Sequence, residues 1–335
     1  MKSILLVGAL ALLGAPFATP GSDAPLSLQR TIVLSGVTGK FDHFAIDESG
    51  NRLFAAATGN HTVEVVDLRT GQVVESLSQL GKPHGVAWVG AMRRLFVADG
   101  AKGELDVFEG SPLMLAKKIK LSEDADDMVY DAATQLLYVG HGGTDASNPA
   151  AIAVIDAAKL VLLSDLPVGA HPEALELDSK HDRVFANISD TGQVLVIDGA
   201  THTVKETWQL TEAKGNTPLA YNADLDLLLV GCRKPSTIVV LNAQTGKEVA
   251  SAPADAGADD LFYEPGTHRA YLITGSGMVD SYEVSAEGQL RPLKATTTVS
   301  GAKTGLLVPS QSALFVGIPG VDTSAQVRMY LTSGK

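Results

Sequence analysis

The chain says nearly the same thing several times over. NHTVEVVDLRTG at 60–71, GQVLVIDGATH from Gly192 and STIVVLNAQTG from Ser236 each alternate polar with β-branched or aliphatic side chains. Each then stops on a turn led by Asp or Asn. Alternation over a few residues makes a strand with one apolar face, and the tail is turn chemistry: Asp67 accepts its own downstream amides, and Gly71 takes φ > 0. The unit is a hairpin, and a hairpin that recurs specifies an architecture.

Sliding the chain against itself yields a repeat of roughly 40 to 45 residues, the length of a four-stranded propeller blade. Each copy has a first strand A entered by polar residues and a second strand B: NRLFAAA at 51, RRLFVAD at 93, LLYVGH at 136, RVFANI at 183, LLLVGC at 227, RAYLITG at 269 and SALFVGI at 312. A third strand C follows (VEVVD, ELDVF, IAVID, VLVID, TIVVLN, MVDSYEV, AQVRMYL), then a weaker fourth, D, and the copies number seven. The seventh ends at VRMYLTSGK with no fourth strand to follow, while LQRTIVLSG at 28–36 precedes the first copy and belongs to none. The leading segment is therefore expected to complete the last sheet and remove the open edges of an unclosed array. The fold class is all-β, a seven-bladed β-propeller closed by the N-terminal strand. It forms a single domain over 27–335, since a repeat architecture grows sideways without a second core.

The N-terminus reads MKSILLVGALALLGAPFATPGSDAP, one Lys ahead of an apolar run too short to span about 30 Å of hydrocarbon. Residues 1–22 are read as a signal peptide, which places the mature chain in a periplasm or outside the cell, without membrane insertion after cleavage. Loss of Lys2 takes the formal charge from −12 to −13. Nucleic acid is excluded as a partner, because binding it needs a basic face. Cys232 is the single cysteine, so there is no intrachain disulfide and no Cys-x-x-Cys-His haem attachment. It is read as buried packing, as are Trp88 and Trp208. Asn60 and Asn187 head formal glycosylation sequons.

FAAATGNHTVEVVDLRTGQVV and FANISDTGQVLVIDGATHTV carry Phe/Tyr-apolar-small-Asn/Thr, Val-x-Val-hydrophobic-Asp and Thr-x-x-Val positions. On these the chain resembles the YVTN-repeat, YncE-like bacterial propellers of the cytochrome-d1-like group over nearly its whole mature length. The literal Tyr-Val-Thr-Asn never appears. The resemblance implies an extracytoplasmic propeller; the family includes haem-binding, binding-only and enzymatic members, so it does not choose among functions.

In a blade that runs down A, up B, down C and up D, the D-to-A connections and B-to-C loops share one face. That face receives Asp42, His43, His84, Asp126, Asp127, His171, Glu173, Asn216, Thr217, Asp259, Asp260, Lys303 and Thr304. The B-to-C loops add His61, Asp99, Lys102, His141, Asp145, Arg233 and Lys234, the longest being HGGTDASNPA from His141. Aligned on the B strands, Asp42, His84, Asp126, Glu173, Thr217, Asp259 and Lys303 take equivalent places and are expected to ring the channel mouth.

Converging carboxylates and imidazoles repel one another or share a proton or cation, and a divalent metal ion resolves the conflict. The metal candidates are His43, His84, His141, His171, Asp126 and Asp259. Ligand-binding candidates are Asp42, His43, His84, Asp126, Asp127, His171, Glu173, Asp259, Asp260, Lys303 and Arg233, the last with Lys303 offering an anion anchor. His84, His171 and Glu173 are candidate catalytic groups. No His-Glu-x-x-His spacing, nucleophile elbow or phosphate-cradling glycine loop is present. The expectation is a binding propeller holding a small molecule, metal ion or protein partner at this mouth. The alternative is a metal-assisted enzyme of lactonase or lyase type using the same funnel.

Overall fold

The computed structural model describes residues 24–143, 145–321 and 323–332; the signal-type segment lies outside them. The described strands form seven sheets. The sheets of blades 1 to 6 each run through the sequence in order, from Phe44–Asp47, Arg52–Ala57, Thr62–Asp67 and Gln72–Leu77 in blade 1 to Ala258–Glu264, Arg269–Thr274, Met278–Val284 and Leu290–Pro292 in blade 6. Apart from two three-residue 3-10 turns, no helix occurs among the described residues. None is long and apolar enough to cross a membrane.

Blade 7 closes the ring. Its strands Gly305–Val308, Ala313–Ile318 and Gln326–Thr332 are joined on the outside by Leu26–Val33, antiparallel, in a register that sets Leu26 against Thr332 and Ile32 against Val327. The fastening continues past the strand. Gly39 and Gly320 exchange two backbone hydrogen bonds of 2.9 Å, and the Leu34 amide donates to the Ala325 carbonyl. Ring closure thus satisfies edge groups that would otherwise template aggregation.

The turn chemistry holds at the C-to-D hairpins of blades 1, 3, 4 and 5. Asp67 accepts from the Arg69 and Thr70 amides at 2.8 and 2.9 Å, and Gly71 has φ 73°. Asp156, Asp198 and Asn242 repeat the arrangement. At the A-to-B corner a second device recurs: Asp47 accepts from the Arg52 guanidinium, and Asp178 from that of Arg183.

Burial follows the repeat. The B and C strands are almost wholly apolar and sealed, with Leu53 to Ala57 fully inaccessible. Their side chains form seven apolar clusters, each shared by two neighbouring blades, including one that joins blade 7 to blade 1. Trp88 stacks on Phe54, and Trp208 packs against Phe185. Asn187 is fully buried, which removes it as a glycosylation acceptor.

Candidate functional site

Strand register places the polar residues. Phe44 pairs with Ala55, Val86 with Val97, Met128 with Val139, Leu175 with Ala186, Leu219 with Val230, Leu261 with Leu272 and Gly305 with Val316. Two residues ahead of these pairs stand Asp42, His84, Asp126, Glu173, Thr217, Asp259 and Lys303. The strand entrances are fixed by backbone bonds: the Asp42 amide donates to the Ala56 carbonyl, and the Asp126 amide to that of Gly140. Blades 2 and 3 close tightly here, for a Cβ on Gly85 would stand 2.2 Å from the Asp126 carbonyl oxygen.

His43 marks the axis. Its Nε2 lies 3.7 Å from Asp42, 3.9 Å from Asp126 and 4.0 Å from Asp127, and its Nδ1 lies 3.6 Å from Asp260. Side chains from blades 1, 3 and 6 can meet within 4 Å only at the centre of the ring. None of these contacts is short enough for a hydrogen bond. Burial opposes a charged imidazole, but Asp127, Asp260, Asp42 and Asp126 outweigh it and push His43 up to about 10.

Around His43 the ring is continuous. His84 Nδ1 meets Asp42 at 2.7 Å and faces Asp126 at 3.4 Å. Burial would raise Asp42, yet the His84 hydrogen bond, with His43 and Lys303 nearby, holds it at about 2. His171 Nε2 faces Asp126 at 3.5 Å while its Nδ1 donates to the Gly142 carbonyl at 2.6 Å. Burial lowers His171, and Asp126, Gly142 and Glu173 together override it to about 9. On the far side Asp259 lies between Lys303 and the Arg233 guanidinium, two cations that offset the burial pushing its carboxyl up. Burial raises Asp127 and Glu173, and lifts Asp260 to about 7 despite the nearby His43 and a bond from the Gly305 amide.

Three side chains offer ligand atoms within 4.8 Å of one another: Asp42, His43 and Asp126. Atoms each about 2.1 Å from one ion lie at most about 4.2 Å apart, so the 3.7 and 3.9 Å spacings from His43 Nε2 admit a shared cation. One Asp126 oxygen is buried without a hydrogen-bond partner.

Several expectations need correction. His141 is buried beneath the mouth, its Nε2 on Asp165 at 2.8 Å and its Nδ1 accepting from the Ser122 amide at 3.3 Å, so neither nitrogen is free to ligate. Asp259 is committed to two cations rather than to the axial cluster. The remaining nitrogen of His84 is buried without a partner and faces Gly100, not the lumen, which removes His84 from acid–base duty at the mouth. Asp99 accepts from the Gly81 and Lys82 amides at 2.7 and 2.8 Å and is a loop clasp; His61 is tied to the Gly81 carbonyl.

The structure also adds residues. Glu176, on the inner strand Pro172–Asp178, is pushed up to about 8 by burial and by Asp127. Its signal was present in the sequence: an acid at the place that blades 1, 2 and 5 fill with Ala45, Ala87 and Ala220. Asn187 donates to the Thr217 and Pro218 carbonyls at 3.1 and 3.2 Å and accepts from Asn216 at 2.8 Å, which braces the blade 5 entrance.

No family model matches the sequence, and no curated protein is similar to it. Among solved structures, a chain of "Kuenenia stuttgartiensis Hydrazine Synthase" superposes with TM-score 0.77 at 18% identity, covering 90% of this chain and 98% of that one. A chain from "Crystal Structure of Mitotic Checkpoint Complex" gives 0.77 at 16% identity over 98% and 100%. A chain from "Structure of U3-55K" gives 0.76 at 13% over 90% and 98%. Identities this low carry the fold and no shared chemistry: the chain is an all-β, seven-bladed propeller.

Proposed function

We propose that this is an extracytoplasmic binding propeller of the YncE-like type that holds a small ligand at its axial mouth through a divalent cation ligated by Asp42, His43 and Asp126. The observation that carries the reading is His43, set among four carboxylates at 3.6–4.0 Å with no hydrogen bond to any of them. Such a cluster is short of positive charge as it stands. A proton on His43 supplies one, and a cation bound by the same atoms supplies more. One imidazole and two carboxylates form a nitrogen–oxygen set suited to Zn²⁺ or Mn²⁺. A rigid ring presents these groups without an ordering cost, which favours binding.

Chelator-treated protein titrated with Zn²⁺, Mn²⁺ or Ca²⁺ in a calorimeter should take up one ion per chain. Its apparent stability should rise by about 2.7 kcal/mol at a hundredfold excess over Kd. Asp42→Asn and Asp126→Asn should each weaken uptake at least about tenfold. Saturable binding of none of the three ions would defeat the reading.

A metal-assisted reaction of lactonase or lyase type is the second reading, favoured by Glu173 and His171. Burial raises the Glu173 carboxyl, and the neighbouring His171 imidazole is held up to about 9, so a carboxylate base and an imidazolium acid stand side by side. Lactone hydrolysis abolished by Glu173→Gln, with metal uptake unchanged, would select it.

A further inference from the structure

Each acid around His43 gives one oxygen to the protein and keeps the other for the axis. Asp42 Oδ2 accepts from His84 Nδ1 at 2.7 Å, and Asp126 Oδ2 faces His171 Nε2 at 3.5 Å. Asp127 Oδ2 accepts from the Leu175 amide at 2.8 Å, and Asp260 Oδ2 from the Gly305 amide at 2.7 Å. The four Oδ1 atoms are the ones that stand 3.6–4.0 Å from the His43 imidazole. Of these, Asp126 Oδ1 is buried without a hydrogen-bond partner; the nearby His84 Nδ1, 3.4 Å away, is already given to Asp42.

Among the described residues, Asp42, His43 and Asp126 bring their donor atoms within 4.8 Å of one another. Asp260 instead faces the other ring nitrogen, Nδ1, and orients the imidazole from behind, as carboxylates do behind metal-bound histidines. Each donor therefore has a partner from another blade: His84 of blade 2 for Asp42, Asp260 of blade 6 for His43 and His171 of blade 4 for Asp126. Two carboxylates whose second oxygens are occupied contribute one oxygen each, and His43 contributes one nitrogen. Ca²⁺ takes roughly six to eight oxygen ligands and often binds carboxylates through both oxygens. Zn²⁺ is content with three protein donors and a fourth from water or substrate.

We propose that the mouth is a three-donor site selective for Zn²⁺ over Ca²⁺, with a fourth position open to the small ligand, and that His84 and His171 set this selectivity by occupying the second oxygens of Asp42 and Asp126. The inference rests on the cation reading above and names both the ion and the place where the ligand enters its shell. Both histidines are fixed for the task. His84 is 5% exposed with its Nε2 turned to Gly100, so Nδ1 is the nitrogen that meets the acids. The His171 ring is pinned by its Nδ1 donating to the Gly142 carbonyl at 2.6 Å.

The test titrates chelator-treated mature protein with Zn²⁺ and separately with Ca²⁺ in a calorimeter. Zn²⁺ should bind at least about a hundredfold more tightly. Co²⁺ loaded in place of Zn²⁺ should show the intense visible absorption of a tetrahedral ion, and azide should shift it by entering the open position. His84→Ala frees the second Asp42 oxygen, so Zn²⁺ affinity should fall about 10–100-fold while Ca²⁺ affinity holds or rises. A role confined to folding would weaken both ions alike. His84→Asn, whose side-chain amide takes the place of Nδ1, should restore the wild-type ratio. Ca²⁺ within about tenfold of Zn²⁺ in the wild type, or equal losses of both ions in His84→Ala, overturns the inference. If His84→Ala does not fold, the wild-type ratio and the Co²⁺ spectrum still decide it. Ion uptake without preference for Zn²⁺ leaves the cation reading standing and removes this one, whereas uptake of no ion removes both.

Discussion

Closure of the ring rests on one strand contributed from about 300 residues away, and Ile32 is the side chain that should report it. Ile32 is 2% exposed and packs in the cluster that joins blades 7 and 1, whereas Leu28 on the same strand is 54% exposed. Ile32→Ala removes buried methylenes and leaves a cavity, for a loss of about 2–5 kcal/mol. Leu28→Ala, losing little buried area, should stay within about 0.5 kcal/mol. With an unfolding entropy near 2.1 cal/mol/K per residue over roughly 300 residues, a loss of about 3 kcal/mol lowers Tm by about 5 °C. Val327 lies directly opposite Ile32 in the same cluster, so a double-mutant cycle with Val327→Ala should give a coupling of about 0.5–3 kcal/mol. The assay is thermal and denaturant unfolding followed by circular dichroism. Equal effects of Ile32→Ala and Leu28→Ala, or strict additivity with Val327→Ala, would show that the first strand is not the clasp.

Acid should loosen the A-to-B corners. Burial raises Asp47 and Asp178, but hydrogen bonds from Ser49 and Arg52, and from Arg183 and His181, outweigh it and hold both below the usual 3.8. Their stabilisation is therefore full above about pH 4 and is lost as pH falls through the lower folded values. Asp178→Asn should flatten that acid slope in denaturant titrations and cost about 3 kcal/mol at neutral pH, where Arg183 is left without its carboxylate; an unchanged slope would contradict this. Gly85→Ala should cost about 1–3 kcal/mol by forcing its methyl against the Asp126 carbonyl, and should weaken metal uptake in the same calorimetric assay. The thiol of Cys232, buried and pushed up to about 12, should resist iodoacetamide at pH 8 until the protein unfolds; rapid native labelling would refute its burial.

The blades were legible because the physics that makes them is local. An apolar B strand, a C strand and an Asp-led turn each declare themselves within a few residues, and Asp67, Asp156 and Asp198 close their turns as that chemistry requires. Closure was legible by subtraction, as one strand left over at the start and one missing at the end. Glu176 was passed over because an inner strand reads as scaffold, although its repeat mates Ala45, Ala87 and Ala220 make it the odd residue in its row.

A repeat supplies a residue's blade and its face, which are the angle and the height in a cylinder. The radius is not in the pattern. His43 and His141 were both assigned to the same face, yet the first lies on the axis among carboxylates of blades 1, 3 and 6, while the second is held by Asp165, on the outermost strand of its own blade. Radius depends on which strand end a residue occupies and on local bulges, such as the one between Asn216 and Leu219 that precedes the Lys214–Lys234 pairing. The same bulge decides that Lys214 and Lys234, on different strands of blade 5, stand side by side, a pairing that emerges only when register is known. The meeting of Asp42, Asp126 and Asp260, from blades 1, 3 and 6, around His43 is a matter of radius, and no periodicity along the chain announces it.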